Sequence, residues 1–181
     1  MVEGVESIGE LKGQALRWVQ PKASKRQYEL VAGPRVYATV TWQKPLGSLA
    51  VCRTSENSYS LKRMGFLHPR VTVRRLDFDD DIAVLRMDFG GGGTLEFNDG
   101  RVFRLSRKGF WNSVWDISDE GHRQLCSLTW VASLSKKSGE VSIESEVKKL
   151  RDPALLLCVA WYTMVLAAEE SAAVAVIPAL G

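Results

Sequence analysis

The chain has 181 residues, of which 24 are basic and 21 acidic, so its formal net charge is +3, and 45% of its residues are hydrophobic. That length fits a single domain spanning 1–181, with room for a core that needs no disulfide or metal staple. The composition is that of an ordinary globular protein and does not indicate disorder. All 24 basic residues precede Pro153, yet they are spread along the sequence rather than gathered into the stripe of a nucleic-acid binder, so nucleic acid is not the expected partner.

The first residues, Met1–Lys12, are polar and acidic, without the basic and apolar regions of a secretory leader. From about Gln14 to Val147 the chain reads as short β-type segments divided by turn signals, the spacing of a barrel or a sandwich. A first strand is predicted near Ala15–Val19, followed by Arg26–Val31, Arg35–Gln43, Gly47–Thr54, Ser58–Met64, Pro69–Arg75 and Ile82–Phe89. Thr94–Asn98, Arg101–Ser106, Phe110–Ile117, Arg123–Val131 and Glu140–Val147 bring the count to about twelve. Asn98-Asp99-Gly100 tolerates positive φ and predicts a tight hairpin. Gly33-Pro34, Lys44-Pro45-Leu46-Gly47, Lys108-Gly109 and Glu120-Gly121 mark other turns. Connections this short cannot carry parallel crossovers, so the sheet is expected to be antiparallel. Two stretches echo each other: Tyr28 leads through a hairpin to Trp42, and Trp115 leads through another to Trp130.

The pattern breaks after Arg151. Asp152 offers a carboxylate to the free N–H groups of a helix start, and Pro153 stands where a missing N–H costs nothing. Ala154–Ala168 is apolar on every side, with Glu169 and Glu170 expected to end the helix. Such a helix must be buried, in a protein core or in a membrane. The run Pro153–Ala168 is shorter than the about 20 apolar residues that cross a bilayer, which favours a core helix over a tail anchor. The last apolar stretch, Ala172–Leu180, is expected to add one more strand.

About twelve antiparallel strands followed by one apolar C-terminal helix is an uncommon order of elements. With the segment Ala154–Ala168 and the hairpin around Trp115–Gly121, it resembles the tubby C-terminal-like superfamily, which includes LURP-one-related proteins and phospholipid scramblases. The resemblance implies a closed antiparallel barrel threaded by the helix. It also implies a non-enzymatic module that binds an anionic ligand or membrane surface, with phospholipid headgroups as the partner. Scramblases carry a calcium-binding segment beside the helix. Here Glu146-Val147-Lys148-Lys149-Leu150-Arg151 is mostly basic, so scrambling is not carried over.

No catalytic constellation is read. Asp88-Phe89-Gly90 and the glycine run Gly90–Gly93 lack the partner motifs of a kinase or a phosphate loop, and read as a hairpin loop. Asp77, Asp79, Asp80 and Asp81 lack the glycine and glutamate of an EF-hand, and read as a solvated loop. His68 and His122 lie in turns without triad or metal partners, so no metal or cofactor is expected. Cys52, Cys126 and Cys158 are odd in number and widely spaced, which suits buried thiols in the cytoplasm. The protein there is either free or peripheral to a membrane.

Candidate ligand-binding residues are therefore basic: Arg70, Arg74, Arg75, Arg101, Arg104, Lys148 and Lys149. Further clusters stand at Lys22/Lys25/Arg26 and Lys136/Lys137. Against this reading stand two others, a tail-anchored protein with a cytosolic β domain and a small-ligand-binding or enzymatic barrel.

Overall fold

The structure, a computed structural model, describes residues 4–65, 67–108, 113–131 and 136–176. Twelve strands follow in order: β1 (Leu16–Val19), β2 (Gln27–Ala32), β3 (Arg35–Trp42), β4 (Ala50–Thr54), β5 (Ser58–Met64) and β6 (Arg70–Arg75). Next come β7 (Asp81–Met87), β8 (Gly93–Phe97), β9 (Val102–Lys108), β10 (Val114–Asp119), β11 (Gln124–Val131) and β12 (Ser138–Ile143). Each pairs with its sequence neighbours, and β12 returns antiparallel to β1, from Leu16↔Val141 to Val19↔Ser138, to close a barrel. The antiparallel ladder and the closed barrel agree with the sequence reading. So do the bounds of Ser58–Met64.

The interior is set by simple alternation. In β8, Gly93, Leu95 and Phe97 are buried while Thr94 and Glu96 are partly exposed, and the other strands alternate likewise over most of their length. Through the interior runs α1 (Pro153–Val176). From Pro153 to Val165 every residue of α1 is buried, about 20 Å of helix at ~1.5 Å per residue. By length and composition Pro153–Ala172 is apolar enough to cross a membrane, but here 72% of its most apolar window is buried inside the barrel.

One aromatic cluster fixes the helix. Trp161 lies between Trp18 of β1, stacked at 5.5 Å and 8°, and Trp130 of β11, at 5.4 Å and 17°. Tyr28 meets the edge of Trp161 at 5.5 Å, and Trp42 stacks on Tyr162 at 5.3 Å. The two hairpins that echo each other in sequence thus both end on a tryptophan that touches the helix. Gly139 of β12 makes room for this: a Cβ there would stand 2.6 Å from a ring carbon of Trp161. Tyr162 donates its hydroxyl to the Ser48 carbonyl at 2.5 Å and accepts the Arg63 amide at 2.9 Å. Burial pushes its pKa up to about 12, so it stays a donor.

Three expectations need correction. The helix does not end at Glu169 and Glu170 but continues to Val176, so Ala172–Val176 is helical and not part of a strand. No proline or glycine interrupts this stretch, and alanine is the strongest helix former; Ile177–Leu180 lies outside the described residues. The last strand stops at Ile143, and Ser145–Lys149 forms a 3-10 turn that buries Val147. The strand expected over Phe110–Ile117 starts at Val114, with Phe110–Asn112 outside the described residues and Trp115 and Ile117 facing inward. The N-terminal segment adds a 3-10 turn, Ile8–Glu10, that buries Ile8.

All three thiols are free and buried, Cys52 and Cys158 at 0% exposure and Cys126 at 2%. A water-soluble thiol reagent is therefore expected to label none of them in native protein and all three in denaturant. Rapid native labelling of Cys158, followed by mass spectrometry, would count against a helix enclosed by the barrel.

Candidate functional site

Because the strands alternate in direction, the loops divide between two ends. At the exit end, where α1 leaves the barrel, lie the connections β1–β2, β3–β4, β5–β6, β7–β8, β9–β10 and β11–β12. At the start end lie the remaining turns, the 3-10 turn Ser145–Lys149 and the first residues of α1.

The exit end is basic. Its connections carry Lys22, Lys25, Arg26, Lys44, Lys136 and Lys137, and Arg63, Arg70 and Lys108 stand at adjoining strand ends. Among the described residues of these connections Asp88 is the one acid. Large apolar side chains stand among the cations: Leu46 and Phe89 are fully exposed and Leu67 is 77% exposed. They lie at the tips of β3–β4, β7–β8 and β5–β6, three connections on the same side of the barrel. In the β7–β8 loop, the Asp88 carboxylate accepts the Gly92 amide at 2.9 Å and Gly91 adopts φ +81°, which turns Phe89 outward. This is the hairpin loop expected for the Asp88–Gly93 motif.

The helix is clamped at this end. Glu169 receives Arg26 and Lys137, each at 2.6 Å, and Glu170 pairs with Arg63. Arg26 also donates to the carbonyls of Pro45 and Gly47 and lies 4.7 Å over the Trp42 ring, which shapes the loop that presents Leu46.

The basic residues singled out in the sequence do not converge on one place. Arg70 and Arg104 stand on the outer wall in one transverse row, Met64↔Arg70↔Arg86↔Thr94↔Arg104, which also includes Arg86. Arg86 is tied to Glu96 at 3.3 Å. Arg74 is held by Asp81 at 2.5 Å. Arg75 and Arg101 meet at the start end, beside Arg151 and Asp152. Lys148 bonds the Leu11 carbonyl at 2.7 Å and pins the N-terminal segment, while Lys149 is exposed. Sequence reasoning missed the apolar tips and Arg86. The signal for the tips was available: Leu46 and Phe89 are large apolar residues set inside turn signals, where alternation assigns them no strand face.

The start end is organised by Asp152. Its carboxylate accepts the Tyr59 hydroxyl at 2.5 Å, the Thr54 hydroxyl at 3.0 Å and the Leu155 amide at 3.2 Å, so it joins β4 and β5 to the first turn of α1. Its φ of 47° is left-handed, a conformation aspartate tolerates better than most residues. Burial, which disfavours the charged form, holds its carboxyl above the usual range.

His68 and His122 are exposed, and Asp77, Asp79 and Asp80 are solvated. Among the described residues, no three His, Cys, Asp or Glu side chains gather as a metal site would require. Comparisons with protein-family models, curated proteins and solved structures give no match. The geometry itself therefore has to carry the functional reading, and what it offers is charge and exposed apolar surface at one end.

The raised Asp152 carboxyl sets a sign for pH dependence. Between its ordinary range and its folded value, the native state holds the proton and the unfolded chain releases it, so this group's contribution to stability is lost as pH rises through that window. Asp152→Asn removes the titration. In urea melts from pH 3 to pH 7, the stability of the native protein relative to Asp152→Asn is expected to fall as pH rises; parallel curves would contradict the assignment.

Proposed function

We propose that the protein is a non-enzymatic barrel module that docks on anionic membrane surfaces through its helix-exit end. The observation that carries this reading is the presence of Leu46, Leu67 and Phe89, all exposed, among the cations of that same end. Each Lys or Arg held near an anionic leaflet contributes about 1 kcal/mol, and several act together here. Burial of apolar loop tips adds roughly 25 cal/mol per Å². One such signal gives only marginal binding, and stable attachment takes two, here one electrostatic and one apolar. Beyond Glu170, α1 continues past the barrel on the same side, so its last turn approaches the surface the loops would meet.

Other features support the reading. A closed barrel around an apolar helix is the architecture implied by the resemblance to tubby-like proteins, which favours a phospholipid headgroup as the partner. Free, buried cysteines suit a cytosolic setting and hence the anionic cytoplasmic leaflet. The outer-wall row Arg70, Arg86 and Arg104 carries further cations across the barrel wall, Arg86 among them paired with Glu96.

Vesicle sedimentation tests the proposal. Binding to phosphatidylcholine vesicles containing phosphatidylserine is expected to exceed binding to phosphatidylcholine alone. It should weaken as salt rises, because exposed charges are screened over about 8 Å at physiological ionic strength. Replacing Leu46, Leu67 and Phe89 together by serine should reduce binding about tenfold or more without lowering the melting temperature, since none of the three packs in the core. Equal binding to neutral vesicles, or binding that ignores salt, would contradict an electrostatic dock.

A further inference from the structure

The opposite end of the barrel holds a second cationic feature, independent of the membrane reading. A depression of about 150 Å³ opens there between the start of α1 and the ends of β5–β9, bounded by Tyr59, Arg75, Phe97, Arg101, Arg151 and Asp152. Arg75 reaches it because it stands opposite Tyr59 in the β5–β6 ladder and so faces inward, whereas its neighbour Arg74 faces outward to Asp81.

The three guanidinium groups are in different states. Arg101 is fixed: its Nε donates to both Asp99 oxygens at 2.9 and 3.0 Å, its Nη1 donates to the Arg151 carbonyl at 2.8 Å, and the group lies 4.2 Å over the Phe97 ring. Arg151 reaches Asp99 only at 3.8 Å and its side chain is 64% exposed. Arg75 makes no side-chain hydrogen bond or ion pair among the described residues, and its Nε is buried without an acceptor. Asp152 does not satisfy it, because that carboxylate is already taken by Tyr59, Thr54 and the Leu155 amide. Asp99 is likewise committed to Arg101.

A buried N–H of a permanent cation, without an acceptor, in a depression lined by three guanidinium groups and by two carboxyl groups, Asp99 and Asp152, that are already engaged, is arranged to receive an anion. The room suits a small one. We propose that this depression binds a small oxyanion of the phosphate class, which accepts from Arg75 and is closed over by Arg151, with Arg101 as the fixed wall. A guanidinium offers two parallel donors to two oxygens of such a group. The ligand would be either free phosphate or the phosphomonoester of a small soluble molecule. With the exit end on a membrane, this end faces away from it.

Inorganic phosphate is the probe, used with the full-length protein. Thermal melts and ³¹P NMR titrations would compare phosphate with chloride at matched ionic strength, and glycerol phosphate would form a parallel arm. Phosphate is expected to raise the melting temperature and broaden its own resonance. Arg75→Gln should weaken binding at least about tenfold, as loss of charge-assisted hydrogen bonds does. Arg151→Gln, on an exposed side chain whose loss leaves the fold intact, should weaken it severalfold, and Arg104→Gln on the outer wall should leave it unchanged. Glycerol phosphate binding as well as phosphate identifies a monoester ligand, and phosphate binding alone identifies the free ion. No difference between phosphate and chloride, or responses that survive both Arg75→Gln and Arg151→Gln, would overturn the proposal.

Discussion

A closed sheet of twelve strands encloses more space than its own side chains can fill, since eight strands already give an interior just wide enough for that. The apolar helix supplies the missing volume, and everything else in the molecule depends on that fit. Trp161 held between Trp18 and Trp130 ties α1 to β1 and β11, on either side of β12 where the barrel closes. Gly139 on β12 gives the ring its space. Helix position and barrel closure are thus set by the same contacts.

The direction of the helix then gives the barrel two unlike ends. At the start end, the polar network of Asp152, Tyr59 and Thr54 receives the first turn, and acidic loops such as Asp77–Asp80 surround it. At the exit end, Glu169 and Glu170 bind three of the nearby cations and Asp116 holds Lys108, while Lys22, Lys25, Lys44 and Arg70 make no ion pair among the described residues and stand around exposed leucine and phenylalanine side chains. Charge that was evenly spread along the sequence becomes polarised in space. That polarity gives the proposed membrane dock an orientation, and it separates the proposed phosphate site from the membrane by the length of the barrel.

Much of the fold was legible because it rests on local rules. Turn chemistry at Asn98-Asp99-Gly100 and alternation in Ser58–Met64 fixed strands and hairpins closely, and Asp152-Pro153 marked the helix start to the residue. The misses came where two local rules agreed with the same residues. Ala172–Val176 is apolar and suits strand or helix, and it became helix because nothing stops α1 before it. Val147 continues the alternation of β12, yet a 3-10 turn buries it equally well. The binding surface was harder to read. Arg74 and Arg75 are neighbours in sequence and part to opposite faces, while Arg70, Arg86 and Arg104 are distant in sequence and share a row. The first fact follows from strand periodicity; the second needs the register of three successive strand pairs, which no single segment encodes.

The central claim is that α1 is the core of the barrel and not an appendage to it. Truncation after Arg151 is the direct measurement, read by circular dichroism and thermal melting of the fragment Met1–Arg151. The fragment would expose the apolar lining of all twelve strands in a domain whose total stability is only about 5–15 kcal/mol. It is expected to be insoluble, or to lack both the β-type spectrum and a cooperative transition. A soluble fragment with a β-type spectrum and a cooperative melt would contradict the account.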